Sequence, residues 1–172
     1  NSQREVIYTR RQNALYGERL PFDILNMLYD ICADMAHINK EVIDPDDLRL
    51  QAISNLGIDF QISADELQKT SESALAEKLY DQAYASYLSK NKVIVDKTLP
   101  LLKQLLKNRG AVVQNIMVPF TDGIKQIGVS VNLQESVNSN GLVVVSEMEK
   151  IITVAIIDQV WKEHLRDMDD LK

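Results

Sequence analysis

At 172 residues, of which 45% are hydrophobic, the chain is long enough for one domain with a sizeable core or for a long scaffold carrying a smaller subdomain. Its formal net charge of −6 argues against a general polyanion-binding protein, so we expect no nucleic-acid partner. The single cysteine cannot form an internal disulfide, which indicates a reducing compartment. No apolar run approaches the roughly 18 residues of a membrane span, and the first residues lack the apolar core of a signal peptide. We expect no transmembrane segment and a chain cut from a longer protein.

The N-terminal segment is predicted to be helical from Ser2 to about Ile38. One apolar stripe at helical spacing consists of Ile24, Leu28, Ile31, Met35 and Ile38. Pro21 interrupts the pattern, because a proline inside a helix removes a hydrogen bond and clashes with the carbonyl four residues earlier. The pattern therefore allows either one long helix kinked near Leu20 or two helices. Cys32 lies within the apolar pattern, so we expect a buried thiol and not a reactive one.

Short helices with clear start and stop signals follow. Asp44 is placed to cap a helix that begins at Pro45, and Gly57 lies just past its end. Ser63 and Glu66 have the spacing of a capping box, which predicts a second helix start.

A longer amphipathic helix is predicted from about Leu75, with its register disturbed at Pro100 and its end at Gly110. The apolar periodicity then changes from the helical value to two, on either side of a Thr-Asp-Gly turn. This change predicts one β-hairpin near residues 112–134. Because an isolated hairpin is marginal in water, we expect it to pack on the preceding helices.

The last helix changes character along its length. From Met148 to Val160 apolar residues leave almost no polar face, which predicts neighbours on several sides. After that point the apolar residues narrow to a one-sided seam typical of pairing with a single helix. The predicted partner or packing surface consists of Trp161, His164, Leu165, Met168 and Leu171. We expect this surface to be the least covered part of the molecule.

Few residues suggest chemistry. His164 and Asp167 share a helix face and could offer two metal ligands or a polarised imidazole, but no further converging groups accompany them. The glycines are scattered without phosphate-binding spacing, so the sequence predicts no catalytic, cofactor-binding or metal-binding residues. The basic side chains of Arg4, Arg10 and Arg11 form either a solvated face or a site that docks on an acidic neighbouring domain.

The two ends of the chain carry a family resemblance. The opening NSQREVIYTRRQNALYGERL and the closing IIDQVWKEHLRDMDDLK resemble the flanks of the helical scaffold domain of SecA, a family of ATPase motors for bacterial preprotein translocation. The closing motif is the more specific, because Trp161 is followed by Lys-Glu-His-Leu and Met-Asp at the end of an apolar helix. The middle, including IMVPFTDG, is similar to the helical wing insertion of that family.

This resemblance implies a mainly α fold, in which long scaffold helices carry a small inserted helical wing subdomain with one β-hairpin. Residues 1–40 would form the first scaffold helix, and residues 41–137 would form the wing insertion. Residues 138–172 would return to the scaffold and supply the first, truncated helix of the two-helix finger.

The resemblance also implies a function. The segment would be a non-catalytic element without a cofactor, while the longer protein would bind ATP and Mg and act as an ATPase. Its partners would be a SecYEG-type channel, a preprotein and other domains of the same protein, in the cytoplasm and peripherally at the inner membrane. The alternative is a free-standing helical adaptor or dimerisation module that pairs through the seam from Trp161 to Leu171.

Overall fold

The computed structural model describes residues 2–16 and 18–170. For Ser2, Asp169 and Asp170 it describes the backbone only. The described residues form helices and one two-stranded antiparallel sheet, which confirms the predicted mainly α fold with one hairpin. In chain order the elements are α1 (Ser2–Tyr16), α2 (Leu20–Glu41), α3 (Pro45–Leu56), α4 (Ala64–Lys69), α5 (Glu72–Arg109), β1 (Asn115–Thr121), β2 (Gln126–Asn132), α6 (Leu133–Asn138) and α7 (Leu142–Asp170).

The chain divides into two compact units. Unit 1 consists of Asn1–Pro21 and Val93–Lys172, and unit 2 is the continuous segment Phe22–Lys92. The three-part division at residues 40 and 137, which follows the family layout, stays a prediction.

The N-terminal segment forms two helices, which is one of the two arrangements predicted from the position of Pro21. Helix α1 ends at Tyr16 and α2 begins at Leu20. Pro21 therefore lies in the first turn of α2, where its missing N–H would have no partner within the helix.

Unit 2 has a core of its own, formed by α2, α3, α4, the first part of α5 and the loop after α3. Its fully buried side chains include Cys32, Leu48, Leu67, Leu75 and Leu79. The predicted signals are present in α3: the Asp44 carboxylate accepts the backbone N–H groups of Asp46 and Asp47, and Gly57 closes the helix at φ +64°.

The capping box before α4 is only half formed. The Ser63 hydroxyl accepts the backbone N–H of Glu66 at 3.2 Å, as the spacing predicted. The Glu66 carboxylate, however, accepts a hydrogen bond from Lys78 Nζ at 2.6 Å. An ion pair with α5 thus replaces the return bond of the capping box.

Burial of Cys32 predicts an inert thiol. Its side chain is fully buried, and desolvation raises its pKa to about 11. Because the thiolate is the reactive species, we expect the folded chain to react with a disulfide reagent at pH 8 at least about 100-fold more slowly than the urea-unfolded chain. Absorbance of the released thiol would measure both rates, and similar rates would contradict the assignment.

Helix α5 passes through Pro100 without a break, contrary to the predicted disturbance. Proline in a helix interior costs about 3 kcal/mol, and this cost must be offset by packing. Leu102, two residues later, is 2% exposed and belongs to the core of unit 1. Burial of this leucine is one interaction that favours a continuous helix.

The hairpin contributes to the core of unit 1. Val118 pairs with Val129, and Ile116 pairs with Val131. Their inner face packs with Leu102 of α5 and with residues of α6 and α7, as expected for a hairpin that cannot be stable alone.

Helix α6 was not predicted. Its N-cap is Asn132, whose side chain accepts the backbone N–H of Glu135 at 3.0 Å. The signal was present as an asparagine followed three residues later by a glutamate, immediately after an alternating strand. The chain then turns at Gly141, which has φ +85° and where an added Cβ would lie 3.1 Å from Val95 Cγ1. These constraints fix the start of α7.

Candidate interaction surface on helix α7

Helix α7 packs against α1 within unit 1. Arg11 Nε of α1 lies 3.0 Å from Asp158 Oδ1 of α7, at ion-pair distance, and each side chain keeps a little over a third of its surface exposed. Val154, Ile157 and Trp161 are half-buried on the side of α7 that carries Asp158. The contact with α1 therefore covers one side of α7.

Of the described residues of the predicted seam, Trp161 is half-buried on this covered side, whereas His164, Leu165 and Met168 are exposed. The Trp161 ring is half-buried and lies 5.6 Å from the His164 ring, measured between centroids. Leu165 and Met168 are 38% and 36% exposed. Leu171 lies outside the described residues.

After Leu142, the first residue of the helix, which is 65% exposed, the most exposed large apolar residues in the described part of α7 lie before Trp161. Ile156 is 56% exposed and Val160 is 58% exposed, and Ile152 lies near them at the helical spacing of four. We call these three residues the open face of α7. The prediction that residues 148–160 are covered on several sides is wrong from Ile151 onward, whereas Met148 packs against the unit 1 core. The expectation that the seam after Trp161 is least covered is wrong for its described residues, because Leu165 and Met168 are less exposed than Ile156 and Val160.

These two predictions about the cover of α7 fail because of the position of α1. Apolar periodicity shows which side chains avoid water, but it carries no information on which neighbouring element covers them. Contact with α1 shields the side that includes Trp161, and the opposite side of α7 remains open.

A groove runs between the open face and the hairpin, which sequence reasoning did not predict. It has a volume of about 540 Å³. Its main apolar lining residues are Ile94, Phe120, Ile127, Met148, Ile152 and Ile156. At its rim, Asp122 Oδ1 accepts the backbone N–H groups of Ile124 and Lys125, at 2.9 and 2.6 Å. These bonds lower the pKa of Asp122 and hold the hairpin turn in place.

The three arginines that were considered as a docking site for another domain differ in their surroundings. Arg4 donates a hydrogen bond of 3.4 Å to the Tyr8 hydroxyl, and its guanidinium lies 5.6 Å from the centre of the Tyr8 ring. Arg10 is exposed. Only Arg11, among these three, forms an ion pair with another described helix.

Among the described residues, no group of three or more His, Cys, Asp or Glu side chains is arranged to hold a metal ion. Asp167, the predicted second group, is exposed, and the ring of His164 lies beside that of Trp161. None of the helices in the described ranges combines the length and apolarity needed to cross a bilayer.

Unit 2 contains a separate polar cluster around His37. Its Nδ1 lies 3.2 Å from Glu72 Oε2 of α5, and its Nε2 lies 3.9 Å from Glu41 Oε1. The hydrogen bond with Glu72 raises the pKa of His37, and the charges of Glu72, Glu41 and Asp34 act in the same direction. The cluster links α2 to the start of α5.

We expect Glu72→Gln to lower the pKa of His37, because the substitution removes both the charged acceptor and its field. A raised histidine pKa stabilises the fold fully below about pH 6.5, the pKa of an unfolded histidine, and this contribution is lost as pH rises through the folded pKa. An NMR titration of the His37 Hε1 resonance would measure the change, with Glu77→Gln on the same helix as control. Equal pKa values in the two variants would show that Glu72 does not act on His37.

Comparison with known proteins identifies the family. The protein-family model for the SecA wing and scaffold domain matches residues 1–172. The chain is 41% identical over 172 residues to the protein translocase subunit SecA of Cytophaga hutchinsonii, and 41% identical to that of Flavobacterium psychrophilum. The SecA subunit of Porphyromonas gingivalis is 37% identical over the same length.

The matched segment is a small part of these relatives. Each alignment covers 100% of this chain but only 15% of the Cytophaga and Flavobacterium proteins and 16% of the Porphyromonas protein. No solved structure matches the chain. The full-length family match and the agreement among these relatives establish that the chain belongs to the SecA wing and scaffold domain family.

Proposed function

We propose that this chain is the non-catalytic scaffold and wing part of a protein-translocating ATPase. In a longer protein it would couple ATP-driven motion of nucleotide-binding domains to movement of a preprotein through a SecYEG-type channel. The observation that carries the proposal is the family match over residues 1–172, together with relatives that are named protein translocase subunits. ATP and Mg would be bound outside this segment, since its glycines lack the spacing of a phosphate-binding loop.

The described geometry supports a mechanical role. Helix α7 has 29 residues, which corresponds to a length of about 44 Å at 1.5 Å per residue. Contact with α1 supports one side, and the open face exposes the other. A long supported helix with an exposed apolar side can move as a rigid element against a partner.

The residues of the two α7 surfaces would have different tasks. We assign the predicted surface to packing with a neighbouring helix of the motor; it consists of Trp161, His164, Leu165, Met168 and Leu171. The open face would contact the moving parts of the longer protein. Arg4, Arg10 and Arg11 would contribute contacts with other domains, with Arg11 already paired to α7.

The proposed division assigns residues 1–40 to the first scaffold helix segment, 41–137 to the wing and 138–172 to the returning scaffold and first finger helix. The proposed location is the cytoplasm, with peripheral association at the inner membrane through the longer protein. The family match over the whole chain disfavours a free-standing adaptor.

A chimera would test this function. The matching segment of the Cytophaga hutchinsonii SecA protein would be replaced by this chain, to which it is 41% identical over 172 residues. We expect the chimera to hydrolyse ATP and to transport a preprotein into inverted membrane vesicles. A version with the segment deleted is the control and should not transport. A folded chimera that hydrolyses ATP but never transports a preprotein would contradict the proposal.

A further inference from the structure

The turn between α6 and α7 contains Asn140 and Gly141, the one Asn-Gly pair in the sequence. Asn140 is exposed and has φ +53°, a left-handed backbone conformation that asparagine adopts more readily than most residues. An asparagine that precedes a glycine is especially prone to lose its side-chain amide, because glycine has no side chain to hinder attack by its backbone nitrogen. The pair is therefore a candidate site of spontaneous covalent modification.

The reaction requires no co-reactant other than water. After losing its proton, the backbone nitrogen of Gly141 attacks the side-chain carbonyl carbon of Asn140 and forms a bond to it. The bond from that carbon to the side-chain nitrogen breaks, and this nitrogen takes up the proton and leaves as ammonia, so a succinimide ring remains. Water then opens the ring. Opening at the side-chain carbonyl gives aspartate, whereas opening at the main-chain carbonyl gives isoaspartate, whose backbone contains an additional methylene group.

The fold engages the attacking nitrogen. The turn is a Schellman motif, in which the backbone N–H of Asn140 donates to Val137 O at 3.0 Å. The N–H of Gly141 donates to Ser136 O at 2.8 Å. Gly141 is also buried, and a Cβ added to it would lie 3.1 Å from Val95 Cγ1 of α5. While these contacts persist, the nitrogen is not free to lose its proton and reach the side chain, so modification requires the turn to open.

The same turn also fixes the start of α7. Ser139 Oγ accepts the backbone N–H of Val143 at 3.1 Å, and Gly141 O accepts that of Val144 at 3.1 Å. Val144 is fully buried in the core of unit 1. An additional methylene group between Asn140 and Gly141 would lengthen the backbone between the end of α6 and this buried residue. The hydrogen bonds on the two sides of the turn could then not all be kept with Val144 in place.

These contacts predict both the rate and the consequence of the modification. We propose that Asn140 is a site of spontaneous deamidation whose rate is set by opening of the turn between α6 and α7, and that its isoaspartate product destabilises unit 1. Aspartate at the same position would leave the turn nearly intact, because it keeps the backbone length and tolerates the left-handed conformation. Neither step depends on the proposed function in translocation.

The rate would be measured by incubating the complete chain in mildly alkaline buffer and mapping its peptides by mass spectrometry. We expect Asn140 to be modified at least about tenfold faster in the chain unfolded by guanidinium chloride than in the folded chain. Asn138, which precedes a serine, is the internal control and should react more slowly than Asn140 in the unfolded chain. Equal rates at Asn140 in the folded and unfolded chains would overturn the proposed control by the turn.

The consequence would be measured on the aged chain. Anion exchange separates the modified forms by their additional negative charge, and electron-transfer fragmentation identifies isoaspartate. We expect the isoaspartate form to melt at least about 3 °C below the unmodified chain, as followed by the fluorescence of Trp161 in unit 1. The variant Asn140→Asp carries the same charge without the additional methylene group and should melt within about 1 °C of the unmodified chain. An isoaspartate form that melts like Asn140→Asp would overturn the proposed effect on unit 1.

Discussion

Replacing Leu79 with alanine is expected to lower the free energy of unfolding of unit 2 by about 3–5 kcal/mol. Leu79 is fully buried and lies in the same core cluster as Leu48, Leu67 and Leu75, which come from three different helices. Removing its side chain loses apolar burial and leaves a cavity that these helices cannot close by small movements.

Leu88→Ala provides a matched control on the same helix. Leu88 is 47% exposed, so the same substitution should change the free energy of unfolding by less than about 1 kcal/mol. Urea unfolding followed by far-ultraviolet circular dichroism would compare the two variants. Equal destabilisation would mean that the unit 2 core does not contribute as the described burial indicates.

Replacing Val129 with aspartate is expected to destabilise unit 1 by more than about 4 kcal/mol. Val129 is fully buried on the inner face of the hairpin, opposite Val118 and in one cluster with Leu102 and Val144. The new carboxylate would be buried among apolar groups without a cation or hydrogen-bond donor to compensate for its lost hydration.

Ser130→Asp tests the same chemistry on the other face of the strand. Ser130 is exposed, so its substitution should leave the melting temperature nearly unchanged. Trp161 fluorescence reports on unit 1, because this tryptophan lies in α7. A Val129→Asp chain that melts like the Ser130→Asp chain would show that the hairpin does not pack on the helices.

Local signals in the sequence predicted much of the fold. Asp44, Pro45 and Gly57 delimit α3 because caps act through backbone groups within a few residues of one another. The β-hairpin was predicted from period-two alternation on either side of a tight turn, because both signals involve residues close together in the chain. Such features need no knowledge of distant parts of the chain.

Features that depend on tertiary contacts were not predictable in this way. Continuity of α5 through Pro100 depends on the packing of residues such as Leu102. The rule that proline interrupts a helix considers only neighbouring residues and does not include this burial. The cover of α7 depends on α1, which is more than 120 residues earlier in the chain. The apolar pattern alone therefore predicted that the surface beginning at Trp161 is the least covered part of α7. In the structure, Ile156 and Val160 are more exposed than Leu165.

We propose that this segment transmits ATP-driven motion through α7 without taking part in ATP hydrolysis. The most direct test of this claim is the amount of preprotein transported per ATP hydrolysed by the chimeric SecA protein carrying Ile156→Asp on the open face, with Ile124→Asp as the matched control. We expect Ile156→Asp to lower this ratio at least about tenfold while ATP hydrolysis without preprotein stays within about twofold of the parent chimera. The control should leave both quantities unchanged, since Ile124 is at the 92% exposed hairpin tip. A folded Ile156→Asp protein that transports preprotein at the parent ratio would contradict the claim.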